Sequence, residues 1–143
     1  MRILGLDYGT KTLGIAVSDL TETISSAVTT LRFDENNPLM IINDLKKIID
    51  EYNVKLIVVG LPKNMNNSEG EAVLRTRKFI RLLKDNFNID IVEQDERLSS
   101  VSANKLLLEA DVSRKKRKSN VDTVAATIIL QNYLDRRKDD KHE

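Results

Sequence analysis

Cysteine is absent from the chain, which excludes disulfide frameworks, thiolate metal sites and cysteine nucleophiles. The only histidine, His142, is the next-to-last residue of a charged tail. That argues against serine-histidine chemistry and histidine-rich zinc sites. Aromatic residues make up 4% of the sequence, so little is available for stacking on nucleobases. No apolar run reaches the roughly 18 residues of a membrane span, and no charged-then-apolar leader is present. No membrane association is expected, and the expected compartment is the cytoplasm. A large net charge is missing too: 23 Lys+Arg stand against 22 Asp+Glu, so bulk charge argues neither for nor against a polyanionic partner. Any catalysis falls to carboxylates, lysines and metals.

What is present is an ordinary globular composition, 41% hydrophobic and 31% charged over 143 residues. We expect one domain over residues 1–138 and a charged flexible tail over 139–143. Ile3 to Tyr8 and Leu13 to Ser18 read as two short strands joined by a Gly9-Thr10-Lys11-Thr12 turn. Glu22 to Leu31 reads as a third strand, completing a meander. Asn37-Pro38 signals a helix start with Asn37 as cap, and Ile41, Leu45, Ile48, Ile49 and Tyr52 form its apolar stripe. Lys55 to Gly60 is a continuous aliphatic run suited to a parallel strand buried on both faces. Ser68 and Glu71 form a capping box for a second helix carrying Phe79, Ile80, Leu83 and Phe87. A fifth strand, Ile89 to Gln94, is followed by a short helix capped by Ser99 or Ser100 and running to Ala110. The basic run comes next, and a last helix covers about Ser119 to Arg136. The order predicts an α/β fold: a mixed five-stranded sheet, a three-stranded antiparallel meander plus two parallel strands, flanked by helices.

In parallel strands the carboxyl ends share one edge, where α/β sites form. Asp7 lies at that end of the first strand, and Asp95 and Glu96 lie just beyond that end of the fifth. Period-two alternation sets Ile3, Gly5 and Asp7 on one face and Leu4, Leu6 and Tyr8 on the other. A carboxylate on a half-buried face has to be paired, hydrogen-bonded or metal-bound. The plainer alternative is that Asp7 caps its own turn. Between these strands the fourth ends in Gly60, which has no side chain to obstruct them. Asp122 shares a helical face with Ala125, Ala126, Ile129 and Tyr133, although an anion in a first helical turn is also favoured by the helix dipole. Three converging carboxylates need a cation between them, and oxygen-only ligation selects Mg²⁺ or Mn²⁺. Such ions support phosphodiester hydrolysis. Arg114-Lys115-Lys116-Arg117-Lys118 is either a solvated face or a strip for the phosphates of a nucleic acid.

Leu4-Gly5-Leu6-Asp7-Tyr8-Gly9-Thr10-Lys11, Gly60-Leu61-Pro62-Lys63-Asn64-Met65, Asp95-Glu96-Arg97-Leu98-Ser99 and Asp122-x-x-Ala125-Ala126 together resemble the YqgF/RuvX family of bacterial RNase H-like nucleases. The resemblance implies an RNase H-like fold, a metal-dependent nuclease and a cytoplasmic protein acting on precursor rRNA or, alternatively, on branched DNA. It implies Asp7, Glu96 and Asp122 as catalytic and metal-binding acids, with Asp95 as the rival of Glu96. Lys11 and Arg97 are implied to meet phosphate. The wider superfamily commonly has an acid where this chain has Gly60. A monomer or weak homodimer is expected, a resolvase needing paired sites. A non-catalytic RNA-binding module is the alternative outside enzymes. Asp-x-Gly-Thr turns also occur in sugar-kinase and actin-like ATPases, but those need two such domains around the nucleotide.

Overall fold

The computed structural model describes residues 1–34, 36–61, 70–95 and 114–141, with positions 95, 114–123 and 138–141 described by backbone alone. Five strands, β1 (Arg2–Tyr8), β2 (Thr12–Ser18), β3 (Ser25–Arg32), β4 (Val54–Leu61) and β5 (Asp90–Asp95), form one sheet in the order β3-β2-β1-β4-β5. The β1–β2 and β2–β3 pairs are antiparallel, and β1–β4 and β4–β5 are parallel, as the sequence predicts. The helices among the described residues are α1 (Ile42–Tyr52), α2 (Glu71–Asn86) and α3 (Arg114–Lys141). None of these is long and apolar enough to cross a membrane. The helix expected to end at Ala110 lies outside the described residues.

The pleat divides the molecule into two cores. Leu4, Leu6 and Tyr8 of β1 pack with Leu45, Ile48 and Ile49 of α1 and with Phe79, Ile80 and Leu83 of α2. Tyr8 is sandwiched there between Phe33 and Phe79, at centroid distances of 5.2 and 4.0 Å with nearly parallel rings. On the opposite face Ile3, Ala16 and Val58 meet Ala126, Ile129, Leu130 and Leu134 of α3. At the centre of that contact a Cβ built on Gly5 would lie 2.6 Å from Leu130 Cβ and 3.1 Å from the Ala126 carbonyl oxygen. The helix backbone can approach the sheet this closely only because position 5 has no side chain.

Several element ends differ from the sequence expectation. The third strand begins at Ser25, not Glu22. The Asp19 carboxylate accepts the N–H groups of Thr23 at 2.8 Å and Ile24 at 3.1 Å and the Thr21 hydroxyl, so local side-chain bonding captures this backbone before the sheet can. Glu22 sits in that turn at φ 57°. Asn37 makes no capping side-chain bond; Pro38–Ile41 forms a 3₁₀ turn leading into α1. The cap of α2 is Gly70, with no side-chain capping bond, so Glu71 is the first helical residue and Ser68 is not the cap. Finally, α3 begins at Arg114 and absorbs the basic run. Arg and Lys are good helix formers, and neither Gly nor Pro interrupts the chain from Arg114 to Lys141.

Two stability predictions follow from this packing. Adding a methyl within a strand at glycine normally relieves an entropic cost, but Gly5→Ala should destabilise by about 1–3 kcal/mol, the range for overpacking, as read by denaturant unfolding. The Thr21 hydroxyl, then the Thr23 and Ile24 N–H groups, hold the Asp19 pKa down from 3.8 to about 2. A depressed acid contributes stability that is present above its unfolded pKa and lost as pH falls through its folded one. The melting temperature should therefore drop between about pH 4 and pH 2, and Asp19→Ala should flatten that part of the profile.

Candidate active site

Asp7 lies in the last turn of pleat before β1 ends, half-buried, on the face covered by α3. Its cross-strand neighbour on β2 is Gly14. On the other side Leu6 pairs with Val59, which brings Gly60 of β4 level with Asp7. Both flanking strands thus present glycine beside this carboxylate and place no side chain next to it in the sheet. Gly14 is a feature that motif reading passed over; the equal strand lengths around the tight turn were its signal.

The turn itself is short and fixed. The Gly9 N–H donates to the Thr12 carbonyl at 2.8 Å, and the Phe33 N–H donates to the Lys11 carbonyl at 2.9 Å. Lys11 is exposed at this same end of the sheet, four residues beyond Asp7.

Gly60 pairs with Gln94 and Leu61 with Asp95, so β5 ends at the same edge. Two inter-strand spacings, about 10 Å, separate β5 from β1. The register groups position 94 with Gly60, on the face of Leu56 and Val58, and position 95 with the opposite face. Gln94 is only 5% exposed, and its amide nitrogen has no hydrogen-bond partner. Nothing in its sequence context singled it out, because a lone glutamine at a strand end is usually solvated. Glu96 and Arg97 lie outside the described residues.

Three contacts orient α3. Its middle crosses Gly5 through Ala126 and Leu130. Further along, Gln131 accepts the Ser25 N–H at 2.9 Å and donates to the Thr23 carbonyl at 3.0 Å, level with the start of β1. Near its end Arg137 pairs with Glu22 at 3.1 Å, and Lys55, near the start of β4, holds the same carboxylate at 2.6 Å. These partners depress the Glu22 pKa, the Arg137 hydrogen bond contributing most. Forward along α3 therefore leads toward the amino end of β1, and backward from Ala126 leads toward Asp7. Position 122 is one turn, about 6 Å, before Ala126, and Asp7 is about 7 Å beyond Gly5. The fold thus brings Asp7 and position 122 to one edge. Arg114 to Lys118 continue the helix roughly 6–12 Å past position 122.

Among the described residues no three His, Asp or Glu side chains form a metal-binding group. Asp7, the described carboxylate at this edge, offers oxygen, a donor that suits a hard divalent cation.

The profile of a family described as RuvX, Holliday junction resolvase, matches residues 1–136. A Geobacillus protein (strain WCH70) named "Putative pre-16S rRNA nuclease" is 48% identical over 135 residues, covering 94% of this chain and 98% of its own. A relative of the same name from Thermoanaerobacter pseudethanolicus is 48% identical over 139 residues, covering 96% of this chain and 99% of its own. Among solved structures, RuvC of Thermus thermophilus in complex with a Holliday junction substrate superposes with a TM-score of 0.66 at 12% identity, covering 97% of this chain and 96% of that one. Fowlpox virus resolvase with Holliday junction DNA gives 0.59 at 13% identity, covering 96% and 99%. These likenesses show an RNase H-like fold of the RuvC type.

Proposed function

Because the chain belongs to the RuvX Holliday junction resolvase family, we propose that it is a divalent-metal-dependent endonuclease that trims the 5′ end of precursor 16S rRNA in the cytoplasm. The observation that carries this reading is Asp7, set between Gly14 and Gly60 at the carboxyl edge toward which α3 carries position 122.

Asp7, Glu96 and Asp122 would hold Mg²⁺ or Mn²⁺. When bound, such an ion lowers the pKa of water and neutralises charge building on the phosphate oxygens. The protein supplies position. The gap over Gly14 and Gly60 admits a phosphodiester beside Asp7, and Lys11 at the turn tip supplies a cation for a non-bridging oxygen. Arg97 serves the same role. The basic start of α3 holds the substrate backbone beyond the edge. Water adds to phosphorus, the bond to the leaving ribose oxygen breaks, and that oxygen takes up a proton. The register of β5 favours Glu96 over Asp95, since position 95 belongs to the face away from Asp7. A second reading, taken from the family description, makes a four-way DNA junction the substrate, with two copies acting together.

Asp7→Asn should lower Mg²⁺-supported cleavage of precursor rRNA by more than about 100-fold, since even groups that only support a ligand cost roughly 10–100-fold. Circular dichroism should show an unchanged fold, and cleavage at the parental rate would refute the mechanism. Glu96→Gln should behave like Asp7→Asn, whereas Asp95→Asn should retain activity. The reverse pattern would exchange the two acids. Running the same assays on a four-way junction, with sedimentation of the complex, separates the two substrates.

A further inference from the structure

On the face of the sheet away from α3 a hollow of about 440 Å³ opens between α2 and the β3–α1 connection. Glu71, Leu74, Arg75 and Lys78, at helical offsets of three, four and seven, form its α2 wall; Asn36 and Tyr8 close the other side. Tyr8 follows Asp7 directly, so this hollow begins one pleat step from the proposed catalytic carboxylate, on the opposite face.

Its chemistry is that of a polyanion site. Arg75 and Lys78 line it against Glu71. The Nε of Arg75 is buried without a hydrogen-bond partner among the described residues. A buried guanidinium donor left unpaired is costly, and a bidentate oxyanion is its natural acceptor. Glu71 is the one carboxylate of the wall, at its outer end. Both faces of the Tyr8 ring are already occupied by Phe33 and Phe79. A base cannot stack on it, so recognition here is of backbone and not of sequence.

We propose that this groove is a second phosphodiester-binding track, which takes the strand leaving the Asp7 edge on the side opposite the α3 basic run. A structured substrate would then be gripped on both faces of one sheet. This inference rests on the nuclease reading for what passes Asp7, but it concerns binding and can be tested without turnover.

The test measures anisotropy of a labelled RNA hairpin with single-stranded flanks, and of a four-way DNA junction, across a KCl series in EDTA. Each phosphate contact contributes about 0.7 to the log–log salt slope on single strands and about 0.9 on duplex DNA. Arg75→Gln and Lys78→Gln should each reduce the slope by about that amount. Lys78 is exposed, so its variant keeps the test valid if Arg75→Gln unfolds. Lys84→Gln is the control: Lys84 sits on the same helix but lines a different hollow, beside Phe87 and Tyr133. An unchanged slope in Lys78→Gln, or an equal loss in Lys84→Gln, overturns the groove. The junction arm decides whether the strand it holds is RNA, DNA or both. A parental protein that binds with these slopes but cleaves nothing would sink the nuclease reading and leave the groove standing.

Discussion

The contact on which everything else depends is the near-collision of α3 with the centre of β1. Leu130 and Ala126 occupy the space that a side chain at position 5 would need. That intimacy fixes the distance between helix and sheet, and two further attachments, through Gln131 and through the Arg137–Glu22 pair, fix the direction. Once both are fixed, the placement of position 122 toward the Asp7 edge follows from the rise per residue of a helix and a strand. Apolar packing and polar clamps that themselves perform no chemistry thus set the course of the helix backbone that carries position 122, 115 positions after Asp7.

The same pleat that turns Asp7 toward α3 turns Tyr8 into the other core. The sandwich with Phe33 and Phe79 immobilises the residue next to the acid. Gly14 and Gly60 add no side chain beside it within the sheet, so the carboxylate is held by its backbone and not crowded by its strand neighbours. Rigid support without crowding from the flanking strands is what a site for a bulky phosphodiester requires.

Much of this was readable from the amino-acid order. Alternation in β1, the aliphatic run of β4 and the helical stripes of α1 and α2 state their elements because burial imposes period two or 3.6. The sequence was less informative wherever a side chain competes with a regular element. Asp19 bonds the backbone of Thr23 and Ile24, which no periodicity announces, and so shortens β3. Asn37 does stand at the cap of the Pro38–Ile41 turn, but without a side-chain bond, and the cap of α2 is Gly70, a residue with no capping side chain to announce it. The basic run was set before the last helix, as a solvated face or a phosphate strip; its continuity with a long helix follows from propensity and the lack of a breaker. Gln94 gave no signal, since its burial arises from tertiary packing alone.

One property of α3 has a mechanical side. The clamps through Gln131 and Arg137 hold the later part of the helix, while its cationic start lies 17 residues before Gln131, some 25 Å away along the axis. Distance from those clamps gives the start of the helix a long lever arm. A tilt of five degrees about the clamped part would swing that start by about 2 Å, yet move the segment over Gly5 hardly at all. Small adjustments of grip on a curved polyanion thus require no repacking where the helix crosses the sheet.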